Sequence, residues 1–311
     1  MIADAALGRL QLVQSPPPPP SAKRFPDGAS FRVEIPSVEG ARVLEEVVRA
    51  AEGHEIVVNR VSQGSGAMLL GMSELREMAA IGAEAGLEVS LFTGPRESWD
   101  VGAHARSADG AAHGGQVRGL RGLAYAVEDI ARAVEAGIRS FLIADAGLLD
   151  VLTGMQRAGE LPGDCVWKIS VMMAPSNPAG LRVLERLGAS TVNIASDTTV
   201  SQLCELRAAS DLPIDLYVES PDSLGGVVRG NEVGDLISAG APLYTKFGLR
   251  NSRALYPCGE HLLADACAIA REKVHRAAVA LEWLRRLAPE LQQSAPHAPG
   301  LGIPQPGSQT P

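Results

Sequence analysis

The 311-residue sequence is poor in aromatic residues, cysteine and lysine, and it has no long apolar run. Aromatic residues make up 4% of the chain and the net charge is −8, so it lacks the stacking side chains and the basic surface that nucleic acids require. No stretch approaches the roughly 18–20 consecutive apolar residues of a membrane span. The first twenty residues also lack the basic start of a signal peptide. We therefore expect a cytoplasmic protein that binds neither nucleic acid nor membranes.

The cysteines and histidines form no recognisable metal or disulfide pattern. The four cysteines are scattered without a CxxC pair, at Cys165, Cys204, Cys258 and Cys267. The six histidines show neither HxH nor HExxH spacing. These spacings argue against a disulfide framework and against a zinc site.

Lysine is rare although basic residues are not. Of the 28 basic residues 24 are arginine, and the four lysines are Lys23, Lys168, Lys246 and Lys273. Arginine stays charged, whereas a desolvated lysine can lose its proton. A lysine at an inward position of this chain is therefore a candidate for chemistry.

Both ends of the chain have the composition of disordered segments. Residues 1–29 contain a run of five prolines, and residues 290–311 are rich in proline, glycine and serine. Neither segment has the apolar periodicity of a folded element. We predict disordered tails that flank one domain at residues 30–289.

The domain alternates eight strand-like segments with helix-like segments. Each β-rich run precedes a stretch whose apolar residues recur every three or four positions; the runs span residues 31–37, 55–61, 87–93, 140–145, 165–173, 190–196, 213–220 and 242–248. Eight such units predict a single (β/α)₈ TIM barrel of the α/β class. A doubly wound sheet is the rival, but no glycine-rich phosphate loop follows the first strand.

Period-two alternation places several charged side chains inside the barrel. Lys168 and Ser170 on the fifth strand, Glu219 on the seventh and Lys246 on the eighth are predicted to face inward, as is Glu34 on the first. Arg32 and Asp215 lie nearer the strand starts and resemble a structural ion pair. Since a buried unpaired charge costs several kcal/mol, such groups form ion pairs, bind a ligand or lie at the solvent-exposed end of the barrel.

We predict Glu219, Lys246, Lys168 and Glu34 as catalytic residues. The two carboxylates would serve as general base and acid. Either lysine would serve as Schiff-base nucleophile, general base or anchor for a carboxylate, and a buried Lys246–Glu219 pair without a catalytic role is the alternative.

The predicted substrate-binding residues lie near the carboxyl ends of the strands, where such barrels place their active sites. Arg96 and Trp99 lie in the long loop at 94–122, which we interpret either as a lid or as a mobile surface loop, and Arg250 and Asn251 lie in the loop after the eighth strand. The full set is Asn59, Arg96, Trp99, Asp145, Ser170, Asn193, Arg250 and Asn251.

The sequence does not name a cofactor. Carboxylates at Glu34, Asp145 and Glu219 would suit Mg²⁺ or Mn²⁺, because these ions prefer oxygen ligands.

Three stretches resemble the collagenase-like peptidase family U-32: SVEGARVLEEVVRAA from Ser37, DLYVESPDSL from Asp215 and KFGLRNSRALYPCG from Lys246. The resemblance spans roughly residues 30 to 285 and implies a (β/α)₈ barrel with peptide hydrolysis or, in some branches, hydroxylation of RNA or quinone precursors. Branches with an iron–sulfur cluster use several cysteines around the last strand, where this chain has Cys258 alone. An iron–sulfur cluster is therefore not expected here, and the reactivity of Cys258 stays open.

Three functions remain open at this point. The first is a hydrolase that acts on a peptide-like or small polar substrate. The second is a lyase or aldolase that uses Lys246 or Lys168 on a small carboxylated or phosphorylated substrate. The third is a non-catalytic barrel that binds a small ligand or a protein. The oligomeric state is not indicated.

Overall fold

The structure, a computed structural model, describes residues 7–12, 17–99 and 102–307. Eight parallel strands pair in chain order and close into a barrel, which confirms the predicted (β/α)₈ TIM barrel. The strands are β1 (Phe31–Pro36), β2 (Arg60–Gln63), β3 (Glu88–Phe92), β4 (Ser140–Ile143), β5 (Val166–Ile169), β6 (Thr191–Asn193), β7 (Ile214–Glu219) and β8 (Leu243–Phe247).

A helix follows each strand. The helices are α1 (Ala41–Gly53), α2 (Met72–Ala85), α3 (Gly119–Glu135), α4 (Ala146–Ala158), α5 (Pro178–Arg186), α6 (Val200–Ala209), α7 (Val233–Gly240) and α8 (Leu263–Leu287). In the described part of the chain, no helix combines the length and apolar character needed to cross a membrane.

The apolar core lies between the strands and the helices. Val33 and Ile35 on the outer face of β1 are fully buried, together with Leu44 and Val47 on α1. These residues sit at alternate positions of the strand and at three-residue spacing on the helix, so one face of each element packs against the other. The inner face of the barrel is left for other side chains, many of them polar.

Two strands differ from the predicted bounds by four residues or more at one end. The run at 55–61 becomes a strand only from Arg60, and the run at 165–173 ends as a strand at Ile169. There Ser170 accepts a hydrogen bond from the Met172 amide at 3.2 Å and begins a 3₁₀ turn. Serine competes with a strand by offering its hydroxyl to the local backbone.

The described part of the first predicted tail packs on the barrel. Ser21 donates to the carbonyl of Ala241 at 2.6 Å, and Lys23 donates to that of Ser210 at 2.8 Å. Residues 17–30 are thus tied to the loops that precede β7 and β8, contrary to the expectation of a wholly disordered tail. The serine and lysine side chains of the segment supply the donors here, which the proline backbone lacks.

Residues 290–307, here called the C-terminal segment, cross the amino-terminal end of the barrel. Arg32 Nη2 donates to the carbonyl of Pro299 at 2.7 Å, and Asn59 Nδ2 donates to that of Ser294 at 2.9 Å. Disorder was predicted here as well, but this segment supplies acceptors to buried polar groups at the foot of the barrel. The disorder prediction for residues 308–311 falls outside the described residues, as do those for 1–6 and 13–16.

Truncation after Pro289 is expected to lower the free energy of unfolding by about 3 kcal/mol or more, because each buried donor left without a partner costs about 1–3 kcal/mol. Urea denaturation followed by circular dichroism measures this change, and a chain truncated after Gly307 serves as the matched control. A loss equal to that of the control would contradict a structural role for the C-terminal segment.

Candidate active site

Glu34 is the centre of a buried charge network inside the barrel. Its Oε1 accepts hydrogen bonds from Lys168 and, at 2.8 Å, from Ser62 Oγ, and it lies 3.4 Å from Lys246 Nζ. Its Oε2 accepts from Arg60 Nη1 at 3.1 Å. Strand pairing accounts for this convergence, since Glu34 is in register with Arg60 on one side and with Lys246 on the other. Three of the four predicted catalytic residues therefore meet at one carboxylate.

Arg60 joins this network to a second pair of carboxylates. Its guanidinium lies 2.9 Å from Glu88 and 3.0 Å from Asp215, and it stacks 3.4 Å from the centre of the Tyr244 ring. Asp215 also lies 3.7 Å from Lys168. The barrel interior thus pairs three basic with three acidic side chains, all of them buried: Arg60, Lys168, Lys246, Glu34, Glu88 and Asp215. Arg32 hydrogen-bonds elsewhere, to Ser294 and Tyr244, so the predicted Arg32–Asp215 pair is not formed.

Burial and neighbouring charges give Lys168 and Lys246 different pKa values. Burial lowers the pKa of Lys168 to about 7, against the opposing attraction of Glu34. Burial also acts against the charged form of Lys246, but the combined attraction of Glu34, Tyr217 and Asp215 outweighs it and raises the pKa. Burial disfavours ionised Glu34 too, yet its lysine neighbours dominate and lower the pKa of that carboxyl. Near neutral pH the network therefore contains a charged amine and an amine that can accept a proton, on the same carboxylate.

A cavity of about 560 Å³, here called the mouth pocket, opens at the carboxyl ends of the strands. Lys246 and Asn193 lie at its base, and Asn193 Oδ1 accepts a hydrogen bond from Lys246. The Tyr217 ring lies 4.4 Å from Lys246 Nζ and also lines the pocket. The amine of Lys246 is thus held by polar groups on one side and an aromatic face on another.

The charged residues that line the mouth pocket are mostly cations. Arg96, Lys246, Arg253 and Lys273 line it together with one carboxylate, Asp222. That carboxylate accepts a hydrogen bond from the Asn251 amide at 2.6 Å. Lys246 is paired with Glu34 and Arg253 with Asp265, which reduces this positive charge, but the lining still has more cations than carboxylates and favours an anionic ligand.

Of the predicted substrate-binding residues, the structure places Arg96, Ser170 and Asn193 in the mouth pocket. Arg96 stacks 4.0 Å from the centre of the Phe92 ring and donates to the Gly64 carbonyl at 3.0 Å, so it is held firmly against the loop after β2. Burial lowers the pKa of Arg96 to about 10.

Asp145 does not line the mouth pocket. Asp145 is the N-cap of α4, where its carboxylate accepts from the Leu148 amide at 2.8 Å and from the Val117 amide at 3.1 Å. It therefore fixes the end of the long loop to a helix, a common role for aspartate. Trp99 ends a short 3₁₀ turn at 97–99, and its side chain lies outside the described residues.

Asn59 lies at the opposite end of the barrel from the predicted site. Its Oδ1 accepts from the Val33 amide at 2.9 Å, and its amide group donates to the C-terminal segment. The predicted strand started too early, which placed Asn59 too close to the mouth. Arg60, which follows it, is the inward residue that the sequence reasoning missed.

Glu219 is also displaced from the predicted catalytic group. Its Oε1 accepts from the Arg250 amide at 3.0 Å, and its Oε2 lies 4.0 Å from Arg276 on α8. The cause is a register shift in β7: Tyr217 pairs with Lys246, but Glu219 pairs with Phe247, an outward residue. The bulge turns the Glu219 side chain toward the outer helix.

Arg250 and Asn251 lie at the rim, beyond the mouth pocket's lining. The Arg250 side chain is 59% exposed and lies 3.9 Å from Asp222. Asn251 has a positive φ of 54°, and its backbone amide donates a hydrogen bond to the Asp222 carboxylate. Both residues shape the loop after β8, and their predicted role in substrate binding stays a prediction.

Neither the predicted metal ligands nor Cys258 form a reactive centre. Glu34, Asp145 and Glu219 have their carboxylates engaged at three separate places, and within the described residues no three His, Cys, Asp or Glu side chains are grouped to hold a metal ion. Burial raises the pKa of the Cys258 thiol, so the thiolate needed for nucleophilic attack is disfavoured.

No family model matches the chain, and no curated protein matches it. Among solved structures, a U32 peptidase is 14% identical, with 71% of this chain and 78% of that one covered and a TM-score of 0.39. Thiamine phosphate pyrophosphorylase from Pyrococcus furiosus is 8% identical over 82% and 98% of the two chains, with a TM-score of 0.46. A candidate fructose-1,6-biphosphate aldolase from Coccidioides immitis is 10% identical over 82% and 92%, with a TM-score of 0.47. These similarities reach the level of the TIM-barrel fold and no further.

Proposed function

We propose that the protein is a lyase of the aldolase type, which uses the amine of Lys246 on a small carbonyl compound that carries an anionic group. The observation that carries this proposal is the arrangement of Lys246 at the base of the mouth pocket, with Glu34 and Lys168 directly behind it. The excess of cations around the pocket supports an anionic substrate.

The first step requires Lys246 to lose a proton. Glu34 Oε1 contacts both amines, so a proton from Lys246 can pass over this oxygen to neutral Lys168. The free Nζ of Lys246 then attacks the carbonyl carbon, and the carbonyl oxygen takes one N–H proton and the proton held by Lys168 and leaves as water, which gives a protonated imine. The carbon–carbon bond next to the imine breaks as the β-hydroxyl group loses its proton to water, so that an aldehyde is released and its bonding electrons form an enamine. Protonation of the enamine carbon by water restores the imine, and hydrolysis frees the second product and the Lys246 amine.

Asn193 has a positioning role in this scheme. Its amide donates to the carbonyl of Ile169 at 2.6 Å, which fixes the orientation in which its oxygen accepts from Lys246. A group held in this way keeps the amine aimed at the pocket, and precise orientation is a large part of catalysis.

The hydrolase interpretation from the sequence has less support. It uses Glu219 and Lys246, with a metal or Cys258 as a further activator of the attacking group, but Glu219 is tied to a backbone amide and to the outer helix, and ionisation of the Cys258 thiol is disfavoured. The lysine chemistry uses groups that do converge on one pocket.

Borohydride trapping tests the proposed function. Incubation with a panel of 2-oxo acids and sugar phosphates, followed by reduction, is expected to add the reduced substrate to Lys246, as located by peptide mass spectrometry. The Lys246→Met variant should trap nothing, and Lys23→Met, which removes a lysine bound to Ser210 and Asp211 away from the pocket, should trap as well as the wild type.

Failure to trap any carbonyl compound at Lys246 would contradict the proposal. Cleavage of peptides by the wild type that persists in Lys246→Met would restore the hydrolase interpretation. Adducts found only at a lysine outside the mouth pocket would also count against the proposed function, because an exposed amine can react without a binding site.

A further inference from the structure

Lys273 is a buried amine on the wall of the mouth pocket. It lies on α8, its residue is 3% exposed, and it lines the pocket. Its Nζ donates to the carbonyl of Pro36, at the carboxyl end of β1, at 2.7 Å. An ammonium group has three donors, so this contact leaves capacity for a ligand.

Lys273 differs from the other lysines in its counter-ions. Lys23 forms an ion pair with Asp211 at 2.6 Å, and Lys168 and Lys246 share Glu34. Lys273 has no carboxylate within 4.0 Å among the residues that the structure describes. A buried ammonium without a counter-ion is costly, and an anion in the adjoining pocket would remove that cost.

The nearest acidic neighbour does not fill this role. Glu39 interacts with Lys273 at longer range, but its two oxygens accept from the amides of Gly64 and Ser65, each at 2.9 Å. Burial moreover raises the pKa of Glu39, against the hydrogen bonds that it accepts from these amides.

The height of the Lys273 contact along the barrel determines how far this lysine lies from Lys246. Pro36 lies two residues beyond Glu34 on β1, and a strand rises about 3.3 Å per residue, so the Lys273 contact lies roughly 7 Å above the layer of Glu34 and Lys246. A small molecule that meets Lys246 with one end can therefore reach Lys273 with the other.

We propose that Lys273 binds a second anionic group of the ligand, so that the mouth pocket selects small dianions such as dicarboxylates over monoanions of the same chain. This proposal rests on the proposed function for the identity of the first contact at Lys246, and it adds the class of substrate. A charge-assisted hydrogen bond in a pocket of this depth discriminates strongly against a ligand that lacks the second group.

Titration calorimetry with glutarate and butanoate tests this inference without any covalent step. Butanoate retains the chain and one carboxylate of glutarate but lacks the second. The wild type is expected to bind glutarate more tightly, and Lys273→Gln, which keeps an N–H donor near Pro36 but removes the charge, is expected to weaken glutarate binding about 10- to 100-fold with little effect on butanoate. Lys273→Arg should retain the preference.

The pH dependence of the wild type gives a second measurement that needs no variant. Burial lowers the pKa of Lys273 to about 8, and a bound anion favours the charged form. Glutarate affinity should therefore fall as the pH rises through about 8, and this step should be absent in Lys273→Arg because arginine stays charged. Deprotonation of Lys168 near pH 7 is common to both proteins, so the difference between their pH profiles isolates Lys273.

The inference is overturned if the wild type shows no preference for glutarate, or if Lys273→Gln weakens both ligands equally, as a purely structural role predicts. Its failure is separable from that of the proposed function. Absence of a borohydride adduct together with Lys273-dependent glutarate binding would contradict only the proposed lysine chemistry. An adduct at Lys246 with monoacids and diacids alike would contradict only the second anion site.

Discussion

Glu34→Gln is expected to lower the free energy of unfolding by about 3–5 kcal/mol, the range found when one partner of a buried ion pair is removed. Lys168, Lys246 and Arg60 all contact this carboxylate, and none of the three is more than 3% exposed. Glutamine keeps the shape and one acceptor but removes the charge. The interior would then hold three basic groups against two carboxylates, and Lys168 would shift further toward its neutral form because the attraction of Glu34 no longer opposes burial.

A double-mutant cycle isolates the interaction. If the loss arises from uncompensated charge, adding Lys168→Met to Glu34→Gln should recover part of the stability, because the second change removes one of the stranded cations. Denaturation in urea at pH 7 gives all four free energies. Glu39→Gln is a matched control, since this carboxylate is also buried but accepts from two backbone amides and has no cation within 4.0 Å in the described part of the chain. A loss no greater than that of the control would show that Glu34 is not the centre of the network.

The same contacts connect stability and the proposed chemistry. A barrel interior filled with aliphatic side chains would be stable without a network of this kind. Here the charges persist because each is paired, and the pairing holds one amine charged and the other close to neutrality. Groups with separated pKa values in one site are the arrangement that acid–base chemistry requires.

Several of these features could be predicted from the sequence. Eight strand–helix units predicted the closed barrel, and period-two alternation correctly placed Glu34, Lys168 and Lys246 on the inner face. The rarity of lysine singled out two amines that the structure brings to one carboxylate. Such local patterns depend only on neighbours along the chain, so they need no knowledge of tertiary structure.

Other features could not be predicted, because their causes are not local. The bulge that turns Glu219 away is set by how β7 pairs with β8, and the phase of β2, which decides between Asn59 and Arg60, depends on its register with β1. The predicted strand gave the opposite phase, and a shift of one residue exchanges the two faces. Lys273 had no sequence signal beyond its rarity, since it lies on the last helix and reaches the pocket between α8 and β1.

The proline-rich ends illustrate the same limit. Composition indicates that such segments cannot form a core of their own, and that indication is sound. What composition does not contain is the set of donors at the foot of the barrel, Arg32 and Asn59, that hold the C-terminal segment in place.

Lys168→Met is expected to slow imine formation at Lys246 by about 100- to 1000-fold and to abolish an inflection near pH 7 in its rate, because a positioned general base contributes about 10²–10⁴-fold. In the wild type the rate should rise as the pH passes through about 7, where Lys168 becomes able to accept the proton of Lys246. Rapid quenching with borohydride at a series of pH values measures this rate for any substrate that traps.

Lys168→Arg separates proton transfer from simple charge pairing. Arginine preserves the positive partner of Glu34 but does not deprotonate, so the variant should be as slow as Lys168→Met. Recovery of the wild-type rate in Lys168→Arg would mean that Lys168 acts only as a counter-charge.

The stability of the wild type gives an independent check of the direction of the Lys168 pKa shift. The folded pKa of about 7 lies below the ordinary value of 10.5, so between these values the unfolded chain holds the extra proton. The contribution of Lys168 to the free energy of unfolding should therefore rise with pH across this window and be missing in Lys168→Met.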